Sequence, residues 1–237
     1  MKLLPNFLVK AIIKKLQILL DRYPEKIISV KDKSKFHPKV NLLGVKLYGD
    51  LEIDEGTTIS GGVKIFADSK IKIGKYNSIN GPNTDIFSLI NPIIIGNFNS
   101  IARNVTIQEY NHKTNYITTY CINKNIFKIK SLIDYSSVNA IEIGNDVWIG
   151  SQCIILSGAK IGDGVIIAAN STVNGYIPDY AIAAGSPAKV IKFRFSEEII
   201  NKLLVLKWWY WPLEKIIRNK KVFASEVTLE LLNSIQN

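Results

Sequence analysis

The sequence predicts a mainly β fold, in which a parallel β-helix coils into a prism with three flat faces. The first observation is an unbroken spacing of six between aliphatic residues, which are Ile143, Ile149, Ile155, Ile161, Ile167 and Val173. The second is a small or medium side chain four positions after each leading residue, at Val147, Cys153, Ala159, Val165 and Ser171. Helices repeat every 3.6 residues and strands every two, so neither explains a period of six. One short strand and one turn per face does explain it.

The stacking of successive coils gives this pattern its physical meaning. We expect the leading aliphatic residue to point into the prism and to pack on its equivalent in the next coil. Neighbouring strands lie about 4.8 Å apart, so backbone hydrogen bonds can run along the whole stack. The residue four positions later also points inward, near a corner where space is limited, and glycine serves the tight turns.

The same phase extends upstream of residue 143. It includes Ile53, Ile59, Ile65 and Ile71, and then Ile95, Ile101 and Ile107. Positions 107 and 143 are six whole repeats apart, so residues 108–142 can leave the prism as a protruding loop and return in register. A slip of phase after residue 79, at the sequence GPNTDIF, predicts a second excursion. The β-helix domain is therefore predicted over residues 28–192.

Both ends of the chain are predicted to be helical. Residues 1–27 resemble basic amphipathic helices, which would cap the prism or dock weakly on an anionic membrane surface. Residues 193–237 form a helical tail that begins with a helix capped by Ser196. Trp208, Trp209 and Trp211 follow it, and we expect them to pack on the prism or on a neighbouring subunit.

Composition restricts the location and the partners of the protein. The formal charge of +10 indicates a solvated basic surface or an anionic partner. The lysines are scattered and no nucleic-acid motif occurs, so we expect no nucleic acid partner. Three lysines interrupt the apolar stretch from residue 3 to 20, which makes it a poor membrane span. Two cysteines provide no disulfide framework, so a cytoplasmic location is expected. This expectation includes the inner face of the membrane.

Two stretches of the chain resemble a known family. The run IGNDVWIGSQCIILSGAKIGDGVIIAANSTV, followed by IPDYAIAAGSPAKVIKFRF, resembles the hexapeptide-repeat acyltransferases. The later FSEEIINKLLVLKWWYWPLEKI is similar to the tail of their xenobiotic branch, which includes streptogramin, type B chloramphenicol and polysaccharide O-acetyltransferases. The resemblance covers roughly residues 70–217. It implies a left-handed β-helix, acetyl-CoA as the acetyl donor, and a homotrimer with sites between subunits.

The catalytic prediction depends on the histidines. The chain has two, His37 and His112, and this count argues against a three-histidine zinc centre, so no metal is expected. His112 lies in IQEYNHKTNY at the base of the predicted loop. The resemblance implies that it removes the proton from the acceptor, and its ordinary pKa near neutrality suits a general base.

Other residues are candidates for supporting roles. Glu109 is a candidate to orient the imidazole, and Asn83 and Asn111 are candidates to contact the oxyanion or the acceptor. Asparagines in turns can instead be local caps. No Ser-His-Asp set occurs, so we expect direct attack on the thioester in a ternary complex.

The resemblance also implies a set of positions for acetyl-CoA. Trp148 would lie beside the thioester, or pack on a neighbouring subunit. Coenzyme contacts are implied at the backbone of small or polar residues, which are Ser151, Ala168, Ala169 and Asn174. Lys189 in GSPAKVIK matches a basic position near the nucleotide phosphates.

The sequence is compatible with a carbohydrate or another small molecule as the acceptor. The first hypothesis is O-acetylation of a sugar hydroxyl in a cell-surface polysaccharide or its precursor. The second is inactivation of an antibiotic of the streptogramin or chloramphenicol type, and the third is N-acetylation of an amino sugar. A scaffold without catalysis would bind no coenzyme and release no thiol.

Overall fold

The computed structural model describes residues 27–236, which form a left-handed parallel β-helix followed by short helices. The predicted fold class is thus confirmed. The predicted N-terminal helical segment lies outside the described residues, except for Ile27, which begins the first strand. No helix within residues 27–236 is long and apolar enough to cross a membrane.

The strands are short, as a six-residue period requires. They are β1 Ile27–Val30, β2 Lys35–Phe36, β3 Asn41–Leu43, β4 Lys46–Ile53, β5 Thr58–Ser60, β6 Lys64–Ile73, β7 Ser78–Asn80, β8 Asp85–Ser88, β9 Ile93–Ile95, β10 Ser100–Ile101, β11 Thr106–Gln108, β12 Asn111–His112, β13 Tyr135–Ser136, β14 Ile141–Ile143, β15 Trp148–Ile149, β16 Ile154–Leu156, β17 Lys160–Ile161, β18 Ile166–Ile167, β19 Thr172–Val173, β20 Tyr176–Ile177, β21 Ala181–Gly185 and β22 Ala188–Phe193. The helices are α1 Ile122–Asn125, α2 Glu197–Leu206, a 3₁₀ turn Trp208–Tyr210, α3 Leu213–Arg218, α4 Lys220–Phe223 and α5 Leu229–Asn233.

Three stacks of parallel strands form the faces of the prism. Face A contains β1, the first halves of β4 and β6, β8, β11, β16 and β19. Face B contains β2, the second halves of β4 and β6, β9, β14, β17 and β20. Face C contains β3, β5, β7, β10, β15, β18 and β21, with β22 antiparallel at its end. We name each corner by the two faces that it joins.

The predicted inward positions form the core. On face A, Ile107 pairs with Ile155, which pairs in turn with Val173. The leading positions from 143 to 173 and the positions four residues later are all buried. Each buried aliphatic side chain contributes about 1.5–3 kcal/mol relative to exposure. Repetition of the same contact from coil to coil therefore stabilises the prism along its length.

The long excursion occurs at the A/B corner, and the second predicted excursion is wrong. The chain leaves β11 after Gln108 and re-enters at β14, where Ile143 pairs with Ile95 in register. Residues 81–84 instead turn the C/A corner between β7 and β8. Ile79 and Ile86 are seven residues apart, one more than the repeat. The longer turn fits because Gly81 packs directly on the preceding coil, where an added Cβ would be 1.9 Å from the Gly61 carbonyl oxygen.

The C-terminal helices pack along the B/C corner. Trp208 lies 4.9 Å from Phe98, and Phe98 stacks 5.0 Å from Tyr76 of the neighbouring coil, measured between ring centroids. Trp209 is buried in the same cluster. Helix α2 has the expected N-terminal residue Ser196, but the serine side chain makes no capping hydrogen bond. The tryptophans are therefore packing residues of this interface.

Candidate active site

The predicted general base, His112, lies in a two-stranded antiparallel ladder at the A/B corner. His112 in β12 lies opposite Tyr135 in the antiparallel strand β13. The two rings meet edge to face, with centroids 5.8 Å apart. The imidazole is exposed to solvent. The ladder thus presents one histidine at the base of the long loop.

A backbone carbonyl determines the tautomer of the imidazole. His112 Nδ1 lies 2.8 Å from the carbonyl oxygen of Thr119. A carbonyl oxygen can only accept, so Nδ1 carries the proton and the neutral ring keeps its lone pair on Nε2. Within residues 27–236 no residue forms a hydrogen bond to Nε2, since both contacts of the ring are to Nδ1. The geometry therefore leaves one free proton acceptor.

Two residues that the sequence did not suggest contact the ring. Cys121 is buried, and its Sγ lies 3.6 Å from His112 Nδ1. A hydrogen bond to this thiol, together with burial, raises the pKa of Tyr135 to about 12. Tyr135 therefore stays neutral at physiological pH. Both residues reach His112 through the folding of the loop, so no local sequence signal identifies them.

A buried carboxylate organises the middle of the loop. Asp134 accepts hydrogen bonds from the backbone amide and the side chain of Asn123, at 3.2 and 2.7 Å, and from the Lys124 amide at 2.8 Å. Burial opposes ionisation, but these bonds outweigh it and hold the pKa of Asp134 below its usual value. Asp134 thus fixes helix α1 beside Tyr135, its neighbour in the chain.

Glu109 does not orient the imidazole, which corrects the prediction. Its side chain is fully buried, and the carboxylate accepts from the backbone amides of Leu89 at 3.1 Å and Ile90 at 2.8 Å. The Ser137 hydroxyl also donates to it. Glu109 and Ser137 lie at the two ends of the excursion. The carboxylate therefore ties both ends of the excursion to the adjacent coil, because a buried charge is stable only when hydrogen-bond donors match it.

The candidate asparagines lie apart from the imidazole. Asn111 precedes His112 in β12, and successive side chains of a strand point to opposite sides. Asn83 lies at the C/A corner with a φ of 57°, and its Nδ2 donates to Asn104 Oδ1 at 3.1 Å. One face of the prism thus separates Asn83 from His112 in the same chain. Both asparagines stay candidates for substrate contact.

Most of the predicted coenzyme positions gather along the C/A corner. Ser151 lies in this corner, and its carbonyl accepts from the Asn170 amide at 2.9 Å, which places Ala168 and Ala169 on the next coil. Lys189 is exposed, and it pairs with Ala184 at the end of β21. Backbone and small side chains therefore line this stretch of the corner, and the Lys189 cation lies at its end.

Trp148 and Asn174 occupy the two flanks of this region. Trp148 points outward from face C, with 54% of its surface exposed. Asn174 follows β19 on face A, so it lies at the A/B corner, from which the His112 loop departs. The C/A corner and the A/B corner bound face A on its two sides.

The prism separates His112 from Trp148. In a triangular cross-section the A/B corner is opposite face C. A single chain therefore holds the imidazole and the indole on opposite sides of the prism.

Within the described residues no group of three or more histidine, cysteine or carboxylate side chains could hold a metal. His37 lies in the first coil, where its Nδ1 accepts from the Lys39 amide at 3.2 Å.

Six-residue repeats of the kind that build this prism are typical of a class of bacterial transferases. Residues 140–175 match the family model "Bacterial transferase hexapeptide (six repeats)". A probable macrolide acetyltransferase of Lysinibacillus sphaericus is 45% identical over 148 residues, covering 59% of this chain and 81% of the relative. The chain belongs to the hexapeptide-repeat acetyltransferases.

Two further proteins extend the comparison. A chloramphenicol acetyltransferase of Escherichia coli is 34% identical over 167 residues, which are 62% of this chain and 78% of the relative. The crystal structure of the polySia-specific acetyltransferase NeuO is similar with a TM-score of 0.51 and 27% identity. This similarity covers 66% of the present chain and 64% of that chain. The named relatives thus include acetyltransferases of antibiotics and of a polysaccharide.

Proposed function

We propose that this protein transfers acetyl from acetyl-CoA to a hydroxyl of a sugar in a cell-surface polysaccharide or its precursor. The observation that carries the proposal is the Thr119 carbonyl at His112 Nδ1, which leaves Nε2 as a free base. Such a base removes a hydroxyl proton at neutral pH without a covalent enzyme intermediate.

The reaction needs one proton transfer in each direction. Nε2 of His112 takes the proton as the sugar oxygen attacks the thioester carbonyl. The C–S bond of the tetrahedral intermediate then breaks, coenzyme A leaves as the thiolate, and the imidazolium returns the proton to its sulfur. Asn83 and Asn111 are the proposed contacts to the oxyanion or the acceptor. A base of this kind accounts for about 10²–10⁴-fold in rate.

The coenzyme is proposed to bind along the C/A corner. Ser151, Ala168 and Ala169 present small side chains there, which let an extended pantetheine approach the backbone. Lys189 at the end of this corner is proposed to pair with the nucleotide phosphates. Trp148 on face C would lie beside the thioester, whereas Asn174 at the A/B corner would contact the coenzyme from the neighbouring chain.

A complete site then requires a second chain. His112 lies opposite face C of its own prism, so it meets Trp148 only across a subunit boundary. A contact between the A/B corner of one copy and face C of the next is head-to-tail, and repetition closes a ring. A homotrimer is the simplest such ring for a three-sided prism. Such a contact would also bury the indole of Trp148, which is exposed in the single chain.

An antibiotic is the one alternative acceptor that a specific observation favours. Two relatives are named for macrolides and chloramphenicol, which favours O-acetylation of an antibiotic. The structurally similar NeuO is a polySia-specific acetyltransferase, which favours a polysaccharide.

An assay of coenzyme A release tests this function. Wild type should release thiol with an oligosaccharide or sugar nucleotide from an acceptor panel, and His112→Ala should lower the rate by about 10²–10⁴-fold. The matched control is His37→Ala, the other histidine of the chain, which should keep wild-type turnover. Circular dichroism verifies that both variants fold.

Two outcomes would count against the proposal. Wild-type turnover in His112→Ala removes the imidazole from the mechanism. Turnover of macrolides or chloramphenicol with no turnover of any carbohydrate assigns the protein to antibiotic inactivation.

A further inference from the structure

A cavity lies between the long loop and the adjacent coils, on the side of the A/B corner. Its volume is about 450 Å³, and its lining includes Tyr110, Tyr135, Lys124, Lys128 and Lys130. The two tyrosine rings meet edge to face with centroids 5.5 Å apart. A volume of this size falls within the range of small-molecule sites.

The cavity adjoins the proposed catalytic base. Tyr135 forms part of its wall and also meets His112, with a centroid distance of 5.8 Å. The two residues are direct cross-strand partners, so their side chains lie on the same side of the ladder. A ligand in the cavity would therefore lie one aromatic ring away from the imidazole.

The charge in this cavity is unbalanced. Its three lysines face a single acidic lining residue, Asp68. Lys128 Nζ donates to the Asn125 carbonyl at 2.7 Å, and Lys124 Nζ lies 6.0 Å from the centre of the Tyr135 ring. In the part of the chain that the structure describes, none of the three forms a salt bridge.

Within residues 27–236 the buried carboxylate of the loop, Asp134, forms no salt bridge with these lysines. The Asp134 carboxylate already accepts from the backbone and side chain of Asn123 and from the Lys124 backbone amide. Positive charge with low-dielectric walls attracts anions into a cleft. The arrangement therefore suits a ligand that brings its own negative charge.

We propose that this cavity is the acceptor subsite and that it binds a carboxylate or phosphate group carried by a sugar. This inference rests on the proposed function, and it names the substrate class as anionic carbohydrate. Lys124, Lys128 and Lys130 hold the anionic group and the tyrosines contact its sugar ring, while the part of the acceptor that bears the reacting hydroxyl extends past Tyr135 to His112. A neutral antibiotic would leave the three cations without a counter-charge.

Titration calorimetry with matched probes tests the subsite. Trigalacturonic acid is compared with its carboxyl-reduced neutral form, and UDP-N-acetylglucosamine is compared with N-acetylglucosamine. Wild type should bind at least one anionic probe more tightly than its neutral counterpart. The triple variant Lys124→Gln, Lys128→Gln, Lys130→Gln should lose about tenfold in affinity for that probe, the scale of a few exposed ion pairs.

A second triple variant controls for net charge. Lys202→Gln, Lys220→Gln and Lys221→Gln remove the same charge from the C-terminal helices and should leave the affinity unchanged. Raising the salt concentration should weaken binding of the anionic probe to wild type, because exposed charges are screened. Salt should have a smaller effect in the first variant.

Each result bears on one claim. Equal affinities in wild type and the first triple variant overturn the subsite, as does failure of both anionic probes to bind wild type. Preference for the sugar nucleotide assigns phosphate as the anionic group, and preference for the uronic acid assigns carboxylate. Calorimetry needs no turnover, so the absence of thiol release would defeat the proposed function while leaving the subsite result standing.

Discussion

Glu109 provides a quantitative test of how the catalytic loop is held. Its buried carboxylate accepts two backbone amides, from Leu89 and Ile90, and the Ser137 hydroxyl. In Glu109→Ala the two amides lose their acceptor. A buried donor without a partner costs about 1–3 kcal/mol, so the pair predicts a loss of about 2–6 kcal/mol in the free energy of unfolding. Ser137 adds little, because its hydroxyl also lies 2.9 Å from Ser157 Oγ.

Glu109→Gln should be much milder. The glutamine oxygen can accept both backbone amides, and its NH₂ group can donate to the Ser137 hydroxyl, which is able to accept. Only the charge assistance of the bonds is lost, at about 1 kcal/mol. The alanine and glutamine variants should therefore differ clearly, although both remove the negative charge.

Urea unfolding followed by tryptophan fluorescence measures these losses. The matched control is Glu142→Ala, which removes a half-exposed carboxylate paired with Lys160 on face B. Such an ion pair is worth at most about 1 kcal/mol. The reasoning would be refuted if Glu109→Ala were no more destabilising than Glu142→Ala, or if the alanine and glutamine variants had the same stability.

Two further predictions concern the prism corner and the coenzyme. Gly49→Ala should destabilise the fold by about 3–5 kcal/mol in urea unfolding, because φ is +91° and the new Cβ would lie 2.0 Å from the Ala67 carbonyl oxygen. Gly175→Ala, with no atom within 4 Å of its added Cβ, is the control, and equal losses would contradict the clash. Lys189→Glu should raise the KM for acetyl-CoA more than it lowers kcat in steady-state assays. An unchanged KM would exclude the proposed phosphate contact.

Sequence reasoning identified the repeat because each coil contacts only its neighbours. The inward position of Ile149, for example, is occupied one coil later by Ile167, and the sequence records this as a spacing. The same arithmetic located the long excursion, since the chain must return in phase. It misjudged residues 81–84, because the room for one extra residue in a turn depends on the coil beneath.

The amino-acid sequence by itself determined the period, the stacking of the prism and the position of the loop that carries His112. The tertiary structure alone decided which way Glu109 points, that Cys121 and Tyr135 contact the imidazole, and that three lysines share a cavity with Tyr135. The physical reason is the range of the contacts. Coil stacking repeats at a fixed interval and leaves a periodic trace, whereas the loop folds on itself through single contacts that do not recur, such as the bond between Asn123 and Asp134.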